Sequence, residues 1–160
     1  MSVEPLFIER ILDASRKNVW RCWTEADLLR ERFTPRPYTV HEAEIDLRPG
    51  GVFRVVMQSP EGDRFDNPGQ ILAVSPEEKL ITSDAYVGDW QPGEKPFLTS
   101  IVRLSDSPDG KTHFRWEARH WSEEDRKSHM EMGFEQGWNA AADQLEQLAG
   151  NGAELLRRSN

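Results

Sequence analysis

The chain has 160 residues and a formal net charge of -8, with 28 acidic against 20 basic side chains. This length predicts one domain around a single core, with about 69% of the unfolded surface buried on folding; the acidic balance argues against a nucleic-acid phosphate backbone, which requires a concentrated cationic face. A lone cysteine, Cys22, excludes an internal disulfide and a cysteine zinc cluster.

No stretch approaches the length of a membrane-spanning apolar run, and the start MSVEPLFIER carries an acid where a signal peptide carries lysines, so a cytoplasmic protein without a membrane segment is expected. The run LFIERIL suits a first strand. After it the period changes: Val19, Trp20 and Trp23 fall at helical spacing behind Ser15, a plausible N-cap. Thr24 with Asp27 three residues later reads as the capping box of a second short helix, which should end near Thr34-Pro35.

From Tyr38 to Arg119 the grammar is that of β-structure. His41, Ala43, Ile45 and Leu47 alternate with Glu42, Glu44 and Asp46, then Pro49-Gly50-Gly51 turns the chain and Phe53, Val55 and Met57 share one face of the returning strand. Four further strands are read at residues 69–74, 79–86, 97–104 and 112–120, separated by turn-rich stretches that include SPEGDRFDNP and VGDWQPGEKP. Six consecutive strands with short links predict an antiparallel meander. Ser122, followed by Glu123, Glu124 and Asp125, opens one long terminal helix whose apolar stripe runs through Met130, Phe134, Gly137, Trp138, Ala141, Leu145 and Leu148. The expected division is a domain at residues 1–150 and a flexible tail at residues 151–160.

Several chemistries lack support. No GxSxG elbow surrounds a serine, and Gly50-Gly51 precedes a strand rather than a helix, so neither a hydrolase triad nor a phosphate loop is present and no cofactor is implied. His41, His120 and His129 show no ligand spacing, and no metal is expected. Cys22 reads as a small core residue. Glu117, Arg119, Glu42, Glu44 and Asp46 should face solvent, with Arg103 and Arg115 available as partners.

The segment from Glu9 through Trp23-Thr24 to Leu29, the turn DLRPGG with Phe53 following, the stretch SPEEKL, and Gly137-Trp138 with Asp143-Gln144-Leu145 carry a resemblance. Together they resemble the bacterial family related to the C-terminal domain of activators of the heat-shock-protein-90 ATPase. That family lies in the superfamily of birch-pollen-allergen-like and lipid-transfer domains (SRPBCC, START-like), often labelled polyketide cyclase-like. The resemblance implies an α+β helix-grip fold: an N-terminal strand, two short helices and a curved meander around a long C-terminal helix. It also implies a hydrophobic cavity between sheet and helix. Arg32-Phe33 stands where two aromatics are usual.

The candidate walls of such a cavity are Val55, Met57, Trp116, Met130 and Phe134, with Phe53, Phe114 and Ala118 on the same faces; His120 or Tyr38 would orient a ligand. Trp90 and Phe97 flank the PGEKP loop and are candidates to guard a mouth. Gly133 and Gly137 either permit close helix-to-sheet approach or leave room for a ligand. The expected function is binding of a small hydrophobic or amphipathic molecule by a monomer or homodimer. The alternatives are a cyclase- or dehydratase-like lyase with His120, which should approach His129, as proton-transfer group, and a chaperone-regulating interaction domain. A protein of these 160 residues is expected to lack the additional N-terminal domain of the eukaryotic activators, and a chaperone partner is therefore not the favoured expectation.

Overall fold

The computed structural model describes residues 3–152 and Leu155. Strand β1 (Leu6–Leu12) is followed by helices α1 (Arg16–Thr24) and α2 (Ala26–Arg32). Seven strands come next: β2 (Thr39–Ile45), β3 (Phe53–Gln58), β4 (Arg64–Asn67), β5 (Gln70–Ser75), β6 (Lys79–Ser83), β7 (Leu98–Ser107) and β8 (Lys111–His120). Helices α3 (Glu123–Glu131) and α4 (Phe134–Ala149) complete the helix-grip arrangement.

All pairings are antiparallel, in a five-stranded order β1-β8-β7-β6-β5 and a three-stranded order β2-β3-β4. The two parts are joined at one corner, where Phe53 N–H donates to Gly69 O at 2.9 Å and Ile71 N–H to Gly51 O at 2.8 Å. Gly51 is required there, because a Cβ on it would lie 1.9 Å from Asp46 O. The resulting bend wraps the sheet around α4.

Ser15 caps α1 by accepting from Asn18 N–H, and Ser122 caps α3 by accepting from Asp125 N–H. Thr24 does not form the expected capping box. It is the last residue of α1, its hydroxyl donates back to Trp20 O at 2.9 Å, and Glu25 begins α2 without a side-chain cap. The four exposed residues of β4 occupy a stretch expected to be only a turn.

The terminal helix is broken where continuity was expected. Gly133 adopts φ 90°, outside the right-handed helical region, so α3 ends at Glu131 with Met132 as its C-cap, and α4 starts afresh after Gly133. The remaining rod, α4, has 16 residues and is about 24 Å long. Arg10 ties it to β1 through Asn139 O at 3.0 Å and Asp143 at 2.7 Å. Gln144 Nε2 ties it to the end of α2, donating to Arg32 O and Thr34 O at 2.9 Å each.

The core lies between α1, α2, α4 and the concave face of β1, β7 and β8, and includes Leu12, Val19, Leu29, Phe114, Ala118 and Leu145. Cys22 is buried in it as expected, and burial pushes its thiol up to about 11. Leu155 is buried there too; most of the stretch expected to form a tail lies outside the described residues. Glu117 is a correction, since it is only 4% exposed. It points to the convex face, yet Arg115 Nε and Arg119 Nε cover it, donating to its two oxygens at 2.8 and 3.1 Å.

Candidate functional site

Because side chains alternate along a strand, Phe53, Val55 and Met57 of β3 project together toward the concave side, where Trp116 of β8 meets them from across the bend. A cavity of about 510 Å³ separates these strands from α4. Trp23 and Phe33 line its inner end, and Gly137, Trp138 and Ala141 of α4 form the opposite wall. The volume is that of a small-molecule site.

The aromatic lining is mutually packed. Trp116 and Trp138 stack with centroids 3.8 Å apart and planes inclined by 18°, while Trp23 meets Trp116 edge-on at 5.0 Å. Trp116 Nε1–H is satisfied by Ser100 Oγ at 2.9 Å, which leaves its ring faces free for packing. Asn67, Pro68 and Met132 are exposed residues of the lining and mark where the cavity meets solvent, between the β4–β5 link and the α3–α4 break.

Polar groups gather at one end. Asp84 follows β6, and its Oδ1 accepts Phe97 N–H at 2.8 Å and Leu98 N–H at 3.2 Å. Burial raises the pKa of its carboxyl; the backbone donors of Phe97, Leu98 and Asp84 itself work in the opposite direction without prevailing.

His129 of α3 also lines the cavity, and its Nδ1 is 2.8 Å from His120 Nε2. His120 Nδ1 is buried without a partner. Donation from His120 Nε2–H to His129 Nδ1 leaves only a lone pair unsatisfied, whereas the other tautomer buries an orphan N–H, so the hydrogen-bond network assigns the first arrangement. Burial, then the neighbouring His120, lowers the His129 pKa to about 4, and burial lowers that of His120. Both rings are therefore neutral near pH 7. Phe97 packs edge-on against each at 5.4 Å.

The sequence-derived candidates divide clearly. Val55, Met57 and Trp116 line the cavity, as does Phe97 of the two residues expected at a mouth. Phe134 is buried one layer behind, against Trp138 at 4.5 Å, and His120 is buried behind His129. Tyr38 is 40% exposed and packs on Phe65 outside the lining. Met130 is 50% exposed and points away, because the break at Gly133 interrupts the helix and leaves His129 facing inward instead. Trp90 lies on the surface against Tyr86.

Gly137 lines the cavity, and a Cβ on it would meet nothing within 4 Å, so its missing side chain contributes open volume. Trp23, Phe33, Asp84, Leu98 and His129 were not anticipated as walls. Trp138, by contrast, was visible in the helical stripe.

One buried cation lies near this site without lining it. Arg32 donates from Nε to Cys22 O at 3.1 Å and rests its guanidinium on the Trp23 ring at 4.1 Å; burial pushes its pKa down to about 9. Among the described residues no three His, Cys, Asp or Glu side chains are grouped to hold a metal ion, and no helix is long and apolar enough to cross a membrane.

A bent antiparallel sheet gripping a terminal helix over an apolar cavity defines a member of the SRPBCC, polyketide cyclase-like class. The family model for activator of Hsp90 ATPase homolog 1-like proteins matches residues 13–150, and the chain belongs to that family. A crystal structure of a protein from Nitrosomonas europaea is similar at 37% identity and TM-score 0.90, over 94% of this chain and 96% of that one. A crystal structure from Mycobacterium smegmatis (23% identity, 90% and 89% covered, TM-score 0.75) shares the fold. So does a solution structure from Staphylococcus epidermidis (20% identity, 95% of each chain, TM-score 0.76). No curated protein matches.

Proposed function

We propose that the protein binds a small hydrophobic or amphipathic molecule between β3, β8 and α4. The observation that carries this reading is the 510 Å³ cavity itself, walled by Val55, Met57, Trp116 and Trp138 and widened at Gly137. Close packing normally leaves a core few voids larger than a water molecule, so an aromatic-lined volume of this size supports a ligand site better than a packing defect. Burying about 200 Å² of ligand apolar surface contributes roughly 5 kcal/mol before association entropy is subtracted.

Native mass spectrometry of the protein purified from its own host tests this. A retained small molecule that organic extraction removes is the expected result, together with uptake of the neutral dye Nile red by the extracted protein. Protein that emerges empty and leaves Nile red fluorescence unchanged would sink the reading.

One observation favours a lyase-like alternative in the same cavity: a neutral imidazole, His129, held at the wall by His120. Turnover of a retained ligand that disappears in His129→Phe while binding persists would assign the protein to catalysis.

A further inference from the structure

The charge of the cavity wall selects among amphipathic ligands, and this inference rests on the binding reading above. Among the described residues lining the cavity, Asp84 is the single carboxylate, and neither lysine nor arginine is present. His129 supplies no positive charge, being neutral near pH 7. The Phe97 and Leu98 N–H groups converge on Oδ1; among the described residues no Lys, Arg or His nitrogen forms an ion pair with this side chain. A half-buried carboxylate beside apolar rings, without such a partner, is electrostatically incomplete.

We infer that the ligand is an amphiphile bearing a protonated amine, held with its ammonium group at Asp84 and its apolar body along Val55, Met57 and the edge of the Trp116–Trp138 stack. A neutral hydroxyl would hydrogen-bond to the carboxylate but leave the charge uncancelled, whereas an ammonium does both. Aromatic faces add to the preference: Phe97 and Trp138 share the lining with Asp84, and a desolvated cation is attracted to ring faces. The same wall disfavours fatty acids, whose carboxylate would enter beside Asp84 with no cation in the lining to receive it. Arg32 does not reverse this, since its guanidinium rests on the Trp23 ring and is not part of the wall.

Decylamine, decan-1-ol and decanoate form a matched probe series for isothermal titration calorimetry at low ionic strength. The expected order is decylamine about tenfold tighter than decanol, with decanoate weakest. Asp84→Asn keeps a carbonyl oxygen for Phe97 and Leu98 N–H, and is expected to abolish the amine preference, bringing decylamine to within about twofold of decanol on the same variant. Decanol bound as tightly as decylamine, decanoate bound tightest, or an amine preference that survives in D84N would overturn the inference and leave the cavity reading intact. Absence of binding by all three probes to the wild-type protein overturns both. The wild-type series decides the matter even if D84N misfolds, which circular dichroism reveals.

Discussion

Trp116 on β8 and Trp138 on α4 are stacked at a centroid separation of 3.8 Å, so the sheet and the helix that closes it are joined through two cavity walls. Truncating Trp138 removes this stack and the tilted contact with Phe134 at 4.5 Å. Because Trp138 is only half-buried, Trp138→Ala is expected to cost about 3 kcal/mol, the low end for large aromatic deletions. Urea unfolding followed by circular dichroism measures the loss, and Nile red binding should weaken as well. An unchanged unfolding midpoint would mean that the helix is held elsewhere, by Arg10 and Gln144.

The two histidines predict acid sensitivity in a defined window. The His129 pKa falls from an ordinary 6.5 to about 4 in the folded protein, and that of His120 is lowered too. Between these values the unfolded chain binds protons that the folded chain refuses. Stability should therefore fall as pH drops from about 6.5 toward 4, with a slope of at most about 1.4 kcal/mol per pH unit for each proton. Thermal melts across this range check the trend, and His129→Phe should flatten it. A wild-type melting temperature that is constant between pH 6.5 and 4.5 would show that the rings titrate freely.

Glu117 behaves with the opposite chemistry on the other face of the sheet. Burial alone would raise its pKa, but hydrogen bonds from Arg115 and Arg119 outweigh that and hold it below the ordinary 4.5. A depressed carboxylate contributes stability that is fully present above its unfolded pKa and is lost as pH falls through the folded value. Glu117→Gln is expected to cost about 2 kcal/mol near pH 7, with the difference from wild type shrinking below pH 4. Paired denaturant titrations at pH 7 and pH 3 read this directly; equal differences at both would assign the effect to packing instead of charge.

Legibility in the sequence followed the physics of local pattern. Val55, Met57 and Trp116 were recognisable as wall residues because strand alternation is a property of neighbours in the chain. Strand β4 left no such signal: all four of its residues are exposed, so no apolar period marks it. Glu117 obeys its alternation yet is buried by long arginine side chains from the same face, which no period reports. His129 does approach His120, as its place at the edge of the helical stripe led one to expect, whereas Met130 is not on the wall, for an identifiable reason. The apolar spacing runs on through residues 130 to 134, while the positive φ of Gly133 interrupts the backbone and changes which side of α3 faces the cavity. Asp84 and Phe97 arrive from the ends of strands and are joined only by tertiary hydrogen bonds.

Gly133 and Gly137 stand four residues apart and should respond to the same substitution with opposite sign. At Gly133 the backbone has φ 90°, and the nearest atom to an added Cβ is Gln136 Oε1 at 3.8 Å, so space is not limiting and conformation is. Gly133→Ala is expected to destabilise by about 1–2 kcal/mol through left-handed backbone strain. At Gly137 the backbone is helical, an added Cβ meets nothing within 4 Å, and alanine should stabilise by about 0.5–1 kcal/mol through helix propensity. Enlarging the same side chain fills the cavity: Gly137→Phe should abolish Nile red uptake while the circular dichroism spectrum stays that of the wild type. Calorimetric melting temperatures order the alanine variants, and a stabilised G133A or a destabilised G137A would contradict the break in the terminal helix. Undiminished dye uptake by a folded G137F would place the ligand somewhere other than between β3, β8 and α4.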